Sequence, residues 1–297
     1  MKKLALLSLA ILSILNYGSA QKDEVELKPT KVSEHVYMLE GRGGNIGLTI
    51  GEDGVAIIDN QFADLSEKIQ NAILELGGGK VDYVINTHLH GDHTGGNENF
   101  SENGATIIAQ QNVRERLSKE QHNELWERTT PARPKAALPV ITFEKSINLY
   151  FNNNELYIFH AASGHTDGDA AIFFKDENVI HVGDNFVTYG FPFIDKYSGG
   201  TLNGMIDFNE QVLKIIDEDT KIIPGHGALS KKEDLKAFNN LLTEIRELLL
   251  NEIRAGKTVK EAIEAKPLAK YEEEWGGNFI SSDNFILLTW DDLKANN

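Results

Sequence analysis

The stretch His88–His93 constrains the fold of this chain more than any other feature of its sequence. It places three imidazoles and one carboxylate within six residues, directly after the apolar run Val81–Asn86. A loop that follows a strand is a common place for functional side chains. Imidazole and carboxylate ligands together suit a borderline divalent cation, and zinc is the first candidate. The chain therefore needs a fold in which a strand delivers this loop to a metal site.

The spacing within this stretch predicts which of its side chains bind the same ion. In an extended loop, side chains two residues apart point the same way, so His88 and His90 are expected to hold one ion together. Asp92 and His93 project differently and are expected to reach a second ion. The alternative is a histidine-rich surface turn. A chance H-x-H-x-D-H is expected on the order of once in a thousand chains of this length, which favours the metal site.

Apolar periodicity and turn residues predict strands and helices in two similar halves. The first half has predicted strands at His35–Glu40, Asn45–Ile50, Val55–Asp59, Val81–Asn86 and Thr106–Ala109, and predicted helices at Asp64–Leu76 and Gln110–Leu117. The second half has predicted strands at Ile141–Glu144, Ile147–Phe151, Glu155–His160, Asp169–Phe174, Asn178–Val182 and Lys221–Ile223, and predicted helices at Leu202–Ile216 and Lys232–Ala255, with two shorter helices after them.

Two segments do not fit this alternation. Residues 21–33 are polar and are expected to form a loose leader. Residues 118–137 contain Pro131 and Pro134 and are expected to form a loop or a mobile lid. Since no linker interrupts the pattern, residues 21–297 are expected to form a single α/β domain.

The first 20 residues have the pattern of a secretory signal peptide. Met1-Lys2-Lys3 is a basic start, residues 4–17 are mostly apolar, and Gly18-Ser19-Ala20 supplies small residues for cleavage. The apolar run is short for a membrane span, although an uncleaved anchor is the alternative. No later stretch is long and apolar enough to cross a bilayer. We therefore expect a periplasmic or secreted protein that has no membrane segment after cleavage.

Net charge limits the kinds of partner that the chain can bind, and its cysteine content limits how the fold can be stabilised. The formal net charge is −16, and loss of Lys2 and Lys3 with the signal peptide would make it −18. Such a chain repels phosphate backbones, so nucleic acid is not expected as a substrate. The chain has no cysteine, which excludes disulfides. Nothing in the sequence indicates the oligomeric state.

Three later turns carry further candidate ligands. His165 follows the predicted strand Glu155–His160, Asp184 follows Asn178–Val182, and His226 follows Lys221–Ile223. Glycine stands close to each of them and permits sharp turns. Each could be an ordinary turn residue when taken singly, but together they supply the ligands that two ions still need.

With these spacings the chain resembles the metallo-β-lactamase superfamily, from about His35 to Gly227. The resemblance implies an αββα sandwich with the site along one edge and two zinc ions as cofactor. It implies that His88, His90 and His165 hold the first zinc, that Asp92, His93 and His226 hold the second, and that Asp184 bridges them. Asp92 would also orient the attacking hydroxide.

Other polar residues near these turns are expected to have no ligand role. Four histidines lack the turn context and are expected to be structural or on the surface: His35, His122, His160 and His181. Asp59 ends a predicted strand beside the site, where it is either a partner that orients a ligand or a plain turn residue.

Members of this superfamily catalyse several different reactions. Because the fold does not distinguish these reactions, the residues of the site must be used to decide among them. Zinc β-lactamases of the best known class have a cysteine where Asp184 stands, whereas a bridging aspartate resembles lactonases, glyoxalase II-like thioesterases and ribonuclease Z-like nucleases. Acidic charge and export disfavour the nuclease, and export disfavours the thioesterase. The intact histidines favour hydrolysis over the redox chemistry of the di-iron members.

The loop after Asp184 favours a substrate with an apolar part. Phe186, Tyr189, Phe191 and Phe193 could line a groove for an acyl chain, or could simply be core residues. Tyr189 could donate its hydroxyl to the substrate carbonyl, although its spacing from Asp184 differs from that of the lactonases.

The best single hypothesis is therefore a zinc hydrolase of a small cyclic ester or amide. We expect it to open N-acyl-homoserine lactones, which is quorum quenching. The alternatives are a β-lactamase or broad β-lactamase-like hydrolase, and a periplasmic zinc-binding accessory protein without activity.

Overall fold

The computed structural model describes residues 25–296. In chain order the strands are β1 (Lys28–Lys31), β2 (Val36–Glu40), β3 (Ile46–Gly51), β4 (Gly54–Ile58), β5 (Tyr83–Ile85), β6 (Thr106–Gln110), β7 (Gln121–Asn123), β8 (Arg128–Thr130), β9 (Ile141–Phe143), β10 (Ser146–Phe151), β11 (Asn154–Phe159), β12 (Ala171–Phe174), β13 (Val179–His181), β14 (Lys221–Ile223) and β15 (Ser230–Lys231). The α-helices are α1 (Ser66–Glu75), α2 (Gly91–Thr94), α3 (Asn97–Glu102), α4 (Gln111–Leu117), α5 (Leu202–Ile215), α6 (Lys232–Arg254), α7 (Val259–Ala265), α8 (Glu272–Trp275) and α9 (Ser282–Ala295).

Two large sheets form the centre of the part that the structure describes. The first has the strand order β1-β2-β3-β4-β5-β6-β9, and the second β10-β11-β12-β13-β14-β15. Strands β4, β5, β6 and β9 run parallel, as do β13 and β14, and the other neighbours within each sheet are antiparallel. Because parallel strands end at the same edge, the turns after β4 and β5, and those after β13 and β14, come together there.

The alternation of side chains along the strands explains why the sheets lie face to face. On β12, Ile172 and Phe174 pack in one cluster with Ile58 and Ile85 of the first sheet, while Ala171 belongs to the cluster on the opposite face. The outer face of each sheet is covered by helices. The α/β sandwich expected from the resemblance, with helices on both outer faces, is confirmed.

The helices bury one stripe each, as their sequence periodicity predicts. Helix α1 buries Ile69 and Ile73, four residues apart, against the outer face of the first sheet. Helix α6 buries Leu235, Phe238 and Leu242, and continues this three- and four-residue spacing against the second sheet. Of the described residues, no helix is both long and apolar enough to span a bilayer.

Some predicted boundaries and loops are wrong. Residues 28–31, expected in a loose leader, form an edge strand in which Thr30 pairs with Met38. A polar segment with Pro29 can do this because backbone hydrogen bonds to an open sheet edge do not require apolar side chains. The expected loop 118–137 contains the β7–β8 hairpin. After α6 there are three α-helices instead of two in residues 255–296. The predicted signal peptide, residues 1–20, lies outside the described residues.

Candidate metal centre

The loop after β5 delivers the first four candidate ligands. The backbone bends at Thr87–Leu89, His90 is extended, and Gly91–Thr94 forms a helical turn directly after it. The amide of His93 donates to the carbonyl of His90 at 3.0 Å. The prediction of an extended loop is therefore wrong for most of this stretch. Asp92 and His93 do point away from the His88 side, because the chain turns into a helix.

His88, His90 and His165 form the first ligand group, whose candidate donor atoms all lie within 4.8 Å of one another. Nε2 of His165 is 2.8 Å from Nδ1 of His90. His165 follows β11 and joins the group across 75 residues of sequence. His88 and His165 are each 1% exposed. The His90 side chain is 22% exposed and forms the open side of the group.

The second ligand group consists of Asp92, His93 and His226, whose candidate donor atoms also lie within 4.8 Å of one another. Nε2 of His226 is 3.2 Å from Oδ2 of Asp92 and 3.4 Å from Nε2 of His93. His93 is fully buried, whereas the side chains of Asp92 and His226 are 28% and 24% exposed. A cation held here would thus be reached from the Asp92 side.

The Asp184 carboxylate lies between the two groups. Its Oδ2 is 3.6 Å from Nε2 of His165 and 3.5 Å from Nε2 of His226, and its Oδ1 is 3.1 Å from Nε2 of His93. Gly225 makes this position possible, because a Cβ there would lie 2.0 Å from Oδ1 of Asp184. The structure therefore gathers all seven predicted ligands, with Asp184 in contact with both groups.

The chemistry of these residues fits bound cations. Nε2 of His88 is buried and has no hydrogen-bond partner within residues 25–296, although buried polar atoms are normally paired. Burial lowers the pKa of His165 to about 4, which keeps it a neutral donor. Burial opposes charge on His226, but the Asp184 and Asp92 carboxylates outweigh it and raise its pKa to about 9. The carboxylates of Asp184 and Asp92 therefore stabilise positive charge at this place, and divalent cations would supply that charge.

Asp59 orients ligands of both groups from behind. It is fully buried, with a φ of 63°, and its Oδ2 lies 2.7 Å from Nδ1 of His93. The hydroxyl of Thr87 donates its proton to Oδ2 of Asp59 at 2.7 Å. The Thr87 hydroxyl oxygen must therefore accept the hydrogen bond from Nδ1–H of His88, at 3.0 Å. Nε2 of His88 and of His93 is thereby left facing the centre. Of the two interpretations of Asp59, the partner that orients a ligand is the one the structure shows.

Candidate donor atoms of Asp59, His88 and His93 also lie within 4.8 Å of one another. We do not interpret it as a separate site, because the Asp59 oxygens are already engaged. Oδ1 accepts the Thr87 amide at 2.8 Å, and Oδ2 accepts the Thr87 hydroxyl and the His93 ring.

Two further orienting contacts were missed by the sequence analysis. Oδ2 of Asp195 lies 2.9 Å from Nε2 of His90, and the carbonyl of Phe193 lies 2.6 Å from Nδ1 of His165. Asp195 lies two residues after Phe193 and outside every ligand motif. A contact made by a backbone carbonyl cannot be recognised from residue types.

The remaining histidines lie outside both ligand groups. His181 lies 3.0 Å from the Asn45 carbonyl and accepts from the Gly183 amide at 3.1 Å, so it supports the turn before Asp184. His35 pairs with Glu177, His160 lies against the Asp169 carbonyl, and His122 lies 2.9 Å from the Thr129 hydroxyl.

A pocket of about 540 Å³ opens over the two groups. Its aromatic wall is built by Trp126 of the β7–β8 hairpin, Phe193 and Phe279. The ring centroid of Trp126 lies 4.9 Å from that of Phe193 and 5.3 Å from that of Phe279. Phe193 also stacks on His90 at 5.6 Å. The wall therefore begins at a candidate ligand and runs outward.

The aromatic loop after Asp184 divides between the pocket and the core. Tyr189 lines the pocket and is 49% exposed. Phe191 borders the pocket but is 3% exposed and packs on Phe285. Phe186 does not line the pocket: it is 3% exposed and packs on Phe238. The expectation that Phe186 lines the groove is therefore wrong, because its side chain points into the core under α6.

Comparison with known proteins agrees with this geometry. The model of the metallo-β-lactamase superfamily matches residues 39–227, which include all seven candidate ligands. A hydroxyacylglutathione hydrolase of Pelagibacter ubique is 27% identical over 228 residues, which cover 73% of this chain and 80% of that protein. A coenzyme F420H2 oxidase of Methanothermobacter marburgensis is 38% identical over 65 residues, which cover 20% of this chain and only 16% of the oxidase.

A solved structure, a metallo-β-lactamase from Pontibacter korlensis, superposes with a TM-score of 0.60 over 73% of this chain and 99% of that one. At 16% sequence identity, this similarity shows the fold alone.

Proposed function

Because this chain belongs to the metallo-β-lactamase superfamily, we propose that it is a dizinc hydrolase that opens a lactone ring. Its family and its His/Asp groups make it a metal-binding hydrolase. One observation carries the finer proposal. The Asp184 carboxylate lies between two ligand groups, at the floor of a pocket that has an aromatic wall.

The ligand roles follow from the two groups. His88, His90 and His165 would hold one zinc, and Asp92, His93 and His226 the other, with Asp184 shared. Seven ligands are too many for one tetrahedral ion, which supports a count of two. Bound zinc would supply Lewis acidity to the substrate carbonyl and lower the pKa of a water molecule.

Asp92 is the residue that we propose to orient this water. Its Oδ2 lies 3.2 Å from Nε2 of His226, and its side chain is open to the pocket. As a carboxylate it can accept a hydrogen bond from water and fix the direction of the lone pair that attacks. Burial opposes ionisation, but the neighbouring imidazoles of His93 and His226 hold the pKa of Asp92 well below its usual range.

Tyr189 is the proposed donor to the substrate carbonyl. Half of its side chain is exposed in the pocket, and a Cβ on Gly227, the neighbour of His226, would lie 3.3 Å from its Cδ1. Burial, together with Asp184 and Asp92, raises the pKa of its hydroxyl, so that it remains a hydrogen-bond donor.

The aromatic wall supports a substrate that has an apolar part beside the reacting ring. N-acyl-homoserine lactones have this form and are the first candidates. Hydrolysis of β-lactams is the second candidate, because penicillins and carbapenems carry a carboxylate and the pocket contains Arg133, which has no acidic partner within residues 25–296. We also propose that the protein is exported, which the basic start and apolar run before Gln21 support.

A substrate panel on the metal-loaded protein tests the proposal. Acyl-homoserine lactones of increasing chain length, penicillins, carbapenems and hydroxyacylglutathione are compared by kcat/KM. We expect lactone opening to dominate. Efficient carbapenem hydrolysis with negligible lactone opening would replace the first candidate by the second, and no turnover of any ester, thioester or amide would leave a metal-binding protein without the proposed activity.

A further inference from the structure

We infer that Arg133 binds a carboxylate of the substrate, so that the preferred substrate is an organic acid with an apolar part. This inference rests on the proposed function and narrows its substrate class. The chain has 45 acidic and 29 basic side chains, yet the pocket is lined by a cluster of cationic ones: Arg42, Arg116, Lys119, Arg128 and Arg133.

These cations differ in whether an acid already neutralises them. Arg116 forms two hydrogen bonds with Asp167, at 2.5 and 2.7 Å, and Arg42 pairs with Asp64 at 2.6 Å. Neither is available to an anion without losing its partner. Within residues 25–296, Lys119, Arg128 and Arg133 have no acidic partner. Of these three, Arg133 is the one that lies against the ligand loop.

Arg133 is also held close to the candidate metal centre. A Cβ on Gly91 would meet Nη2 of Arg133 at 3.4 Å, and Gly91 stands between the ligands His90 and Asp92. The backbone amide of Arg133 donates to the Leu117 carbonyl at 2.8 Å, which fixes this segment against the end of α4.

Cations bound at the candidate metal centre would repel the Arg133 guanidinium, because like charges repel at short range. A substrate carboxylate would remove this repulsion. It would accept two parallel N–H bonds from the planar guanidinium, a geometry that arginine offers and lysine does not. The aromatic wall of Trp126, Phe193 and Phe279 borders the same pocket and would take the apolar part. Neutral acyl-homoserine lactones lack the carboxylate, so lactones that carry one are expected to be better substrates.

Binding of a matched pair of probes tests the inference without requiring turnover. The probes are 4-phenylbutyrate and its neutral amide, 4-phenylbutanamide, titrated by calorimetry into the metal-loaded protein. We expect the acid to bind about 10-fold or more tightly than the amide. Arg133→Gln should reduce this preference to less than about 2-fold, and Arg133→Lys should leave an intermediate preference. Metal content and circular dichroism of each variant are measured in parallel.

Arg42→Gln is the matched control, since it removes the same charge from the same pocket but from a guanidinium that Asp64 already pairs. It should keep most of the preference. If both Arg42→Gln and Arg133→Gln lost the preference for the acid to the same extent, the overall positive potential of the pocket would explain it. That result would overturn a specific contact with Arg133. A full preference in Arg133→Gln would mean that the metals bind the acid, and equal binding of both probes by the wild type would also overturn the inference.

The substrate panel, with acyl lactones that carry a carboxylate added to it, separates this inference from the proposed function. Lactone opening with no gain from a carboxylate would refute the role of Arg133 alone. A preference for acids that depends on Arg133, in an enzyme that opens no lactone, would refute the lactonase proposal alone.

Discussion

The carboxylate of Asp195 lies 2.9 Å from Nε2 of His90, across 105 residues of sequence. Its other oxygen accepts from the amides of Tyr197 and Ser198, which fixes the carboxylate in place. Burial opposes its charge, but the hydrogen bond and charge of His90 outweigh this and lower the pKa of Asp195 to about 2. The proton of the His90 ring is thereby kept on Nε2, and Nδ1 is the nitrogen left for a metal.

Asp195→Asn is therefore expected to weaken metal binding while leaving the fold intact. The amide oxygen can still accept from Tyr197 and Ser198, but its NH2 group would face Nε2 of His90 and favour the tautomer with the proton on Nδ1. Metal affinity should fall by about 10- to 100-fold, measured by competition with a chelator. Asp291→Asn, at an exposed aspartate, is the control. Wild-type affinity in Asp195→Asn would mean that the tautomer of His90 does not matter.

The hydroxyl of Thr87 is expected to be needed for His88. Thr87→Val keeps the shape of the side chain but leaves Nδ1 of buried His88 without its acceptor, at a cost of about 1–3 kcal/mol. Thr87→Ser retains the hydroxyl and should stay close to wild type. Urea unfolding of both variants measures the difference. Equal stability of the valine and serine variants would contradict a stabilising role for the hydrogen bonds that link Asp59, Thr87 and His88.

Replacement of Asp184 by asparagine tests whether this residue is shared by two ions. The change removes one ligand charge from between the two groups. We expect metal content to fall below two equivalents and the rate to drop by about 10-fold or more. Elemental analysis and turnover are measured on the same sample. A variant with wild-type turnover and two bound ions would show that Asp184 does not bridge.

Trp126→Ala is expected to weaken selection for longer acyl chains. Trp126 is 41% exposed and contributes to the aromatic wall, so its loss should leave stability and metal content unchanged. Each buried methylene contributes up to about 0.8 kcal/mol, so kcat/KM should rise with chain length in the wild type and less steeply in the variant. Tyr150→Ala, at an exposed aromatic outside the pocket, is the control. Identical slopes in Trp126→Ala and wild type would remove Trp126 from the substrate site.

The exported protein is predicted to begin at Gln21. The motivation is the basic, apolar and small-residue pattern that ends at Ala20. Intact-mass spectrometry of the protein from the periplasm or medium measures the first residue. Recovery of Met1–Ala20 on a membrane-bound protein would replace export by anchoring.

The sequence alone predicted the ligand motifs, most of the elements and the family. These features are local: a strand or helix of sufficient length shows its period, and His88–His93 carries four candidate ligands within six residues. The C-terminal half follows the same logic, since His165, Asp184 and His226 each stand in a glycine-marked turn after a strand. Residues 28–31 escaped prediction because edge pairing is decided by backbone hydrogen bonds with β2.

Only the tertiary structure decided which residues orient the ligands and which line the pocket. Asp195 meets His90 because β11–β13 and the turns after them bring distant residues to one edge, and no local pattern records such a contact. Phe186 and Phe193 are seven positions apart in one aromatic loop, yet one packs in the core and the other stacks on His90. The direction of a side chain outside regular structure depends on the packing of elements far away in sequence. For that reason the sequence could indicate the candidate metal ligands but could not identify the wall of the pocket.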